Sequence, residues 1–222
     1  DYLLGQKLGS LDSKDFARQI LKTYQSSLDK FKSLDSKDPE PFEKVMLEVN
    51  WLSEWAKVSQ PFLENNLPAF ADSLSKFYGG EMVCAGLLYA PAIGAFFPGN
   101  PEKAYQEGYK LTFFDLGYAR DISALAMAMT SAGMKSEATK TDLLAALRLD
   151  PENYFESRLV GRTSHRILKY ALWISEEAKK LDSISPPMNP ESKALAAAFS
   201  LLDQKQQDMP FHAGEIYIQS LT

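Results

Sequence analysis

Residues 82–97 read MVCAGLLYAPAIGAFF, sixteen positions without a single charge. Such a run has to leave water, yet it is shorter than the ~18–20 consecutive apolar residues of a membrane span and is interrupted by Gly86, Pro91 and Gly94. It therefore belongs in a protein core, and its apolar character all round marks a helix buried on every side of a larger bundle. Glycine and proline destabilise a helix interior, so these three positions call for a close approach by a neighbouring helix or a ligand.

The flanking sequence repeats at three and four. Phe16, Ile20, Leu21, Tyr24, Leu28 and Phe31 form one stripe, with Asp12 or Ser13 as its cap and a stop near Asp38-Pro39-Glu40-Pro41. A second helix is predicted over 42–58, and a third after Pro61, broken or bent near Pro68. Asn100-Pro101 reads as a cap followed by proline at the first helical position. Residues 117–134, rich in Ala and Met, read as a helix that a neighbour can approach closely. Thr141 is expected to cap a short helix to Leu147, and Asp150-Pro151-Glu152 the next element. Helical periodicity then covers 154–181, with a break possible at Gly161, and an Ala-Leu helix covers 191–202. No run alternates at period two for long enough to make a strand. The expected fold is all-α, a compact orthogonal helical bundle in one domain over 1–222.

Charge and composition narrow the function. The net charge of −5, with Lys and Arg dispersed, argues against a nucleic-acid groove. No membrane span is expected. No secretory leader opens the chain, and a soluble protein, cytoplasmic or exported after leader removal, fits the composition. Cys84, the single cysteine, reads as a buried and inert thiol, since no Lys, Arg or His stands near it in sequence.

Residues 79–134 carry a resemblance. A Gly-rich segment enters Gly86-Leu87-Leu88-Tyr89-Ala90-Pro91-Ala92-Ile93-Gly94. Next comes a Pro-initiated helix from Asn100-Pro101, and then Leu111-Thr112-Phe113-Phe114-Asp115-Leu116-Gly117-Tyr118. Over about a quarter of the chain this order and spacing resemble the central segment of the ADP-ribosylglycohydrolase family. The resemblance implies an all-α fold of that type, of which these 222 residues are the body of a larger domain. It also implies magnesium-assisted hydrolysis of a glycosidic bond to a small-molecule or protein-linked ADP-ribose. Family enzymes hold two magnesium ions with a T-D-D-T-like motif near the N-terminus and a D-x-D-T-like motif near the C-terminus. Neither motif occurs here, and Asp1 alone stands where the last acidic residue of the first would fall. The alternative reading is a non-enzymatic helical domain that binds an ADP-ribosyl-like ligand or a protein partner.

By the same resemblance Gly79, Gly80 and Gly86 would cradle a diphosphate through backbone N–H groups. Thr112 and Phe113 occupy the family's Leu-Thr-His site, where the phenyl ring of Phe113 keeps stacking and loses proton chemistry. Asp115 reads as a ribose or metal-support residue, or as the cap of the helix entered at Gly117. Tyr89 and Tyr118 read as pocket liners or as structural tyrosines. Arg120 and Asp121 read as a solvated pair, and Arg158, Arg162, His165 and Arg166 as one helical face, solvated or phosphate-binding. His212 and Glu215, three apart, make two potential metal ligands without a third.

Overall fold

The computed structural model describes residues 2–6, 10–34, 39–151, 153, 161–183, 190–204 and 212–222. These residues form ten α-helices: α1 Ser13–Ser33, α2 Pro39–Leu63, α3 Leu67–Lys76, α4 Ala90–Phe96, α5 Pro101–Leu111, α6 Tyr118–Gly133, α7 Lys140–Ala146, α8 Thr163–Ser183, α9 Pro190–Asp203 and α10 Ala213–Leu221. Single 3-10 turns occupy Leu3–Gly5, Phe77–Gly80 and Ala85–Leu88. There is no strand among the described residues, where the only β-type pairing is an isolated antiparallel bridge between Val83 and His212.

The caps show how the sequence sets the boundaries. Asp12 accepts the Asp15 N–H at the start of α1, and Asn100 accepts the Lys103 N–H at the start of α5. Three boundaries differ from the sequence reading. Pro61 lies inside the last turn of α2, and Pro68 stands in the first turn of α3, where Asn66 caps. Thr139, not Thr141, caps α7, in a reciprocal capping box with Asp142. Gly161, where a break was possible, lies outside α8 at φ +69°, and the helix starts at Thr163. The cap proposed at Asp150-Pro151-Glu152 and the predicted helix over 154–160 fall partly or wholly outside the described residues.

Residues 82–97 do not form one helix buried on every side. The 3-10 turn and the short α4 divide them, and Leu88, Pro91 and Ala92 face solvent. Gly86 and Pro91 account for the division, since proline at the start of α4 has no N–H to continue the preceding turn.

The most deeply buried helix is α6. It packs against α4, α5, α7, α8 and α10, and its Ile122, Leu125 and Met127 are completely buried. Each such side chain contributes about 1.5–3 kcal/mol relative to an exposed one. Close approach is made possible by glycines on its neighbours. A Cβ added to Gly94 of α4 would lie 2.5 Å from Thr130 Cβ, and one added to Gly108 of α5 would lie 2.1 Å from Met127 Sδ. Around α6 gathers the main apolar cluster, while Trp55, Phe77, Phe113 and Phe114 centre a second, aromatic one beneath α1 and α2.

Candidate functional site

Between the end of α5 and the start of α6 the chain turns through residues 112–117, and this turn borders a groove of about 680 Å³. Two features fix the turn. Thr112 closes α5 by donating its N–H to Gly108 and its hydroxyl to the Tyr109 carbonyl. Gly117 then enters α6 at φ 52° and ψ −129°, a conformation that a side-chain-bearing residue rarely adopts.

One wall of the groove is apolar. Phe113 stacks on Phe62 with centroids 4.2 Å apart and planes 3° from parallel, and Phe70 and Leu74 of α3 extend that surface. The lining also carries two cations, Lys110 and Arg120, together with Tyr109. Arg120 is held in place, since its Nε and Nη2 donate to the Tyr109 carbonyl at 3.2 and 2.9 Å and its guanidinium lies 4.4 Å from the Tyr109 ring centroid. Lys110 is shared with Glu107, a carboxylate only 2% exposed. Burial works to raise the Glu107 pKa, but the Leu11 N–H, Lys110 and Lys103 outweigh it and hold this carboxyl below its usual range.

The floor carries Asp115, which is 4% exposed. Its carboxyl accepts the Gly86 N–H at 3.1 Å and the Ser123 hydroxyl at 2.5 Å. Burial pushes its pKa up to about 7, against the pull of Ser123, the Gly86 and Ala85 amides and Arg120. Asp115 is therefore not the cap of α6; Gly117 holds that position, and no side chain caps it. An aspartate whose charge changes near neutrality at the floor of a groove has the properties of a functional residue.

Of the residues singled out in the sequence, Phe113, Asp115 and Gly117 meet at this groove. Thr112 is fully buried behind it. Gly86 packs face-on against α6, where an added Cβ would lie 2.6 Å from Ser123 Cβ, and its N–H is already taken by Asp115. Tyr89 donates its hydroxyl to the Leu111 carbonyl, a structural role. Tyr118 turns away to His212, with Oη and Nε2 3.4 Å apart. Gly79 and Gly80 lie in an exposed turn after α3 at φ 77° and 84° and do not line the groove. Asp1 lies outside the described residues. Phe62, Phe70, Tyr109 and Arg120 were not singled out as ligand-binding from sequence; only the helix period relating Arg120 to Gly117 offered a signal.

Arg120 and Asp121 do not form a solvated pair. Adjacent helix positions diverge, and Asp121 points inward, completely buried. There it meets Arg162, with Nε to Oδ2 at 2.8 Å and Nη2 to Oδ1 at 2.5 Å, and also accepts hydroxyls from Tyr105 and Ser164. Arg162 thus belongs to a buried tie between α6 and the start of α8 rather than to a solvated or phosphate-binding face, and Arg158 lies outside the described residues. Cys84 is buried, and burial raises its pKa to about 12, which agrees with an inert thiol.

The implied magnesium has no fitting site among the described residues. No three His, Cys, Asp or Glu side chains group there, and the Asp115 oxygens already serve internal donors, Ser123 and the Gly86 and Ala85 amides. No described helix is long and apolar enough to cross a membrane.

Compared with protein-family models, curated proteins and solved structures, the chain finds no match. The likeness to ADP-ribosylglycohydrolases therefore rests on the residues quoted above.

Proposed function

We propose that this chain is a helical domain of the ADP-ribosylglycohydrolase type whose α5–α6 groove binds an ADP-ribosyl-like ligand. The observation that supports this reading best is the pairing of an aromatic wall, Phe62 and Phe113 with Phe70, against the oriented guanidinium of Arg120. A flat base gains contact area on such a wall, while a phosphate gains a charge-assisted hydrogen bond from arginine. The groove volume of about 680 Å³ lies within the ~300–1,000 Å³ common for small-ligand sites.

Hydrolysis of the bound ligand is the second reading, favoured by one observation. Asp115 has a pKa near 7 at the groove floor, where a carboxyl is suited to passing a proton. The described residues supply no magnesium site, so no step is routed through that ion.

The test is titration calorimetry of ADP-ribose into the wild-type chain and Arg120→Met. Saturable binding weakened at least tenfold by the substitution supports the reading, tenfold corresponding to about 1.4 kcal/mol. Absence of binding, or equal binding by both proteins, overturns it. Release of ADP-ribose from an ADP-ribosylated protein, lost in Asp115→Asn, would favour hydrolysis over binding alone.

A further inference from the structure

We infer that the face formed by α4, the second half of α6 and α10 is a self-association surface, on which a second copy of this chain seats its Leu88 in a hollow and receives the same residue in return.

The hollow, of about 280 Å³, is lined by side chains of these helices, among them Pro91, Ala126, Met129, Tyr217 and Leu221, and no lining residue is charged. None of them lines the α5–α6 groove, so the two features are separate. The sequence accounts for the missing charge, since neither 82–101 nor 122–134 contains an Asp, Glu, Lys or Arg. Around the hollow, Pro91, Ala92 and Ala95 of α4 are exposed, and Met134, one turn beyond Thr130 on α6, is 52% exposed. Scattered exposed apolar side chains are ordinary, whereas an uncharged face gathered around a hollow marks an interaction site.

Size selects the occupant. The volume falls below the ~300–1,000 Å³ of sites for drug-sized molecules, and it suits an inserted side chain. Leu88 is such a side chain: it follows Leu87, which lines the hollow, and is itself 64% exposed. Knob and hole on one patch are what a two-fold contact requires, because the patch meets itself.

Charge points to the same face. The chain carries −5, so two copies repel unless they meet where carboxylates are absent. Another apolar hollow, between α9 and α10, also has exposed leucine and phenylalanine, Leu195 and Phe199, but Asp203 is part of its lining. A two-fold contact there would enclose a carboxylate from each copy, at a desolvation cost that the α4 face does not carry.

The experiment is sedimentation velocity of the intact chain over ~1–300 μM, a range that spans weak to moderate dissociation constants. The expected result is a reversible shift from the 24.8 kDa monomer to a species of twice that mass, retained at high salt because screening weakens the repulsion between acidic copies. Leu88→Glu is expected to weaken association at least tenfold, while Leu195→Glu, the same change of charge on the α9 face, leaves it as it was. A monomer at every concentration overturns the inference, as does a dimer that dissociates at high salt, one indifferent to Leu88→Glu, or one lost in Leu195→Glu alone. Both leucines are exposed, so neither substitution opens the core, and circular dichroism checks the fold. The wild-type concentration series stands without the variants.

Discussion

Ser123, one turn into α6, donates its hydroxyl to the Asp115 carboxyl at 2.5 Å, so the helix that forms the core also holds the floor of the groove. The pair joins core to groove: Ser123 is completely buried, and Asp115, bonded to it, lines the groove.

That bond favours the ionised carboxylate, so Ser123→Ala is expected to raise the Asp115 pKa above about 7. Titration of the Asp115 side-chain carbon signal by NMR reads the effect directly. A downward shift, or none, would mean that the hydroxyl does not support the carboxylate.

Burial raises Asp115 from an ordinary 3.8 to about 7, so the native state binds this proton more tightly than the unfolded chain. The resulting stabilisation is whole below the unfolded pKa and is lost as pH climbs to about 7, a loss on the order of 4 kcal/mol for three pKa units. Asp115→Asn removes that dependence. Chemical denaturation between pH 4 and 8 should show wild-type stability falling relative to the variant as pH rises, and parallel profiles would contradict the account. Comparing the two proteins cancels the opposite trend from His165, whose pKa is lowered by burial and by Arg162.

Arg162→Met leaves the completely buried Asp121 carboxylate without its cation. Removal of one partner from a buried pair costs about 3–5 kcal/mol, and the double substitution Asp121→Asn with Arg162→Met should recover part of it. Urea denaturation of the single and double variants gives the coupling. A loss under 1 kcal/mol for Arg162→Met would show that water replaces the guanidinium.

Gly94→Ala tests the close packing of α4 on α6. Its methyl would fall 2.5 Å from Thr130 Cβ and 2.6 Å from the Met127 carbonyl oxygen, and α4 has to shift to accept it. The expected destabilisation is about 1–3 kcal/mol, measured from the denaturation midpoint. An unchanged midpoint would show that the interface yields freely.

Local signals were legible where chemistry acts over a few residues. Asp12 and Asn100 cap where side chain and spacing said they would, whereas the close approach to α6 comes from Gly94 and Gly108 on its neighbours rather than from small residues of α6 itself. Long-range pairings were not. Nothing in the string Arg120-Asp121 tells which faces solvent and which meets Arg162, forty-one residues on. Asp115 showed the same limit: sequence offered a cap or a ligand contact, and only the approach of Gly86, twenty-nine residues earlier, decides that its carboxyl turns into the core. The uninterrupted apolarity of 82–97 suggested one buried helix because burial on a helix and burial in a turn leave the same composition.

The central claim is that a ligand occupies the groove at the α5–α6 turn, and the most direct measurement is backbone amide NMR during addition of ADP-ribose to the isotope-labelled chain. The account predicts saturable shifts concentrated at Tyr109 and Lys110 and from Phe113 to Arg120, with Phe70 and Leu74 responding across the groove. Shifts confined to other surfaces, or none at millimolar ligand, would contradict it.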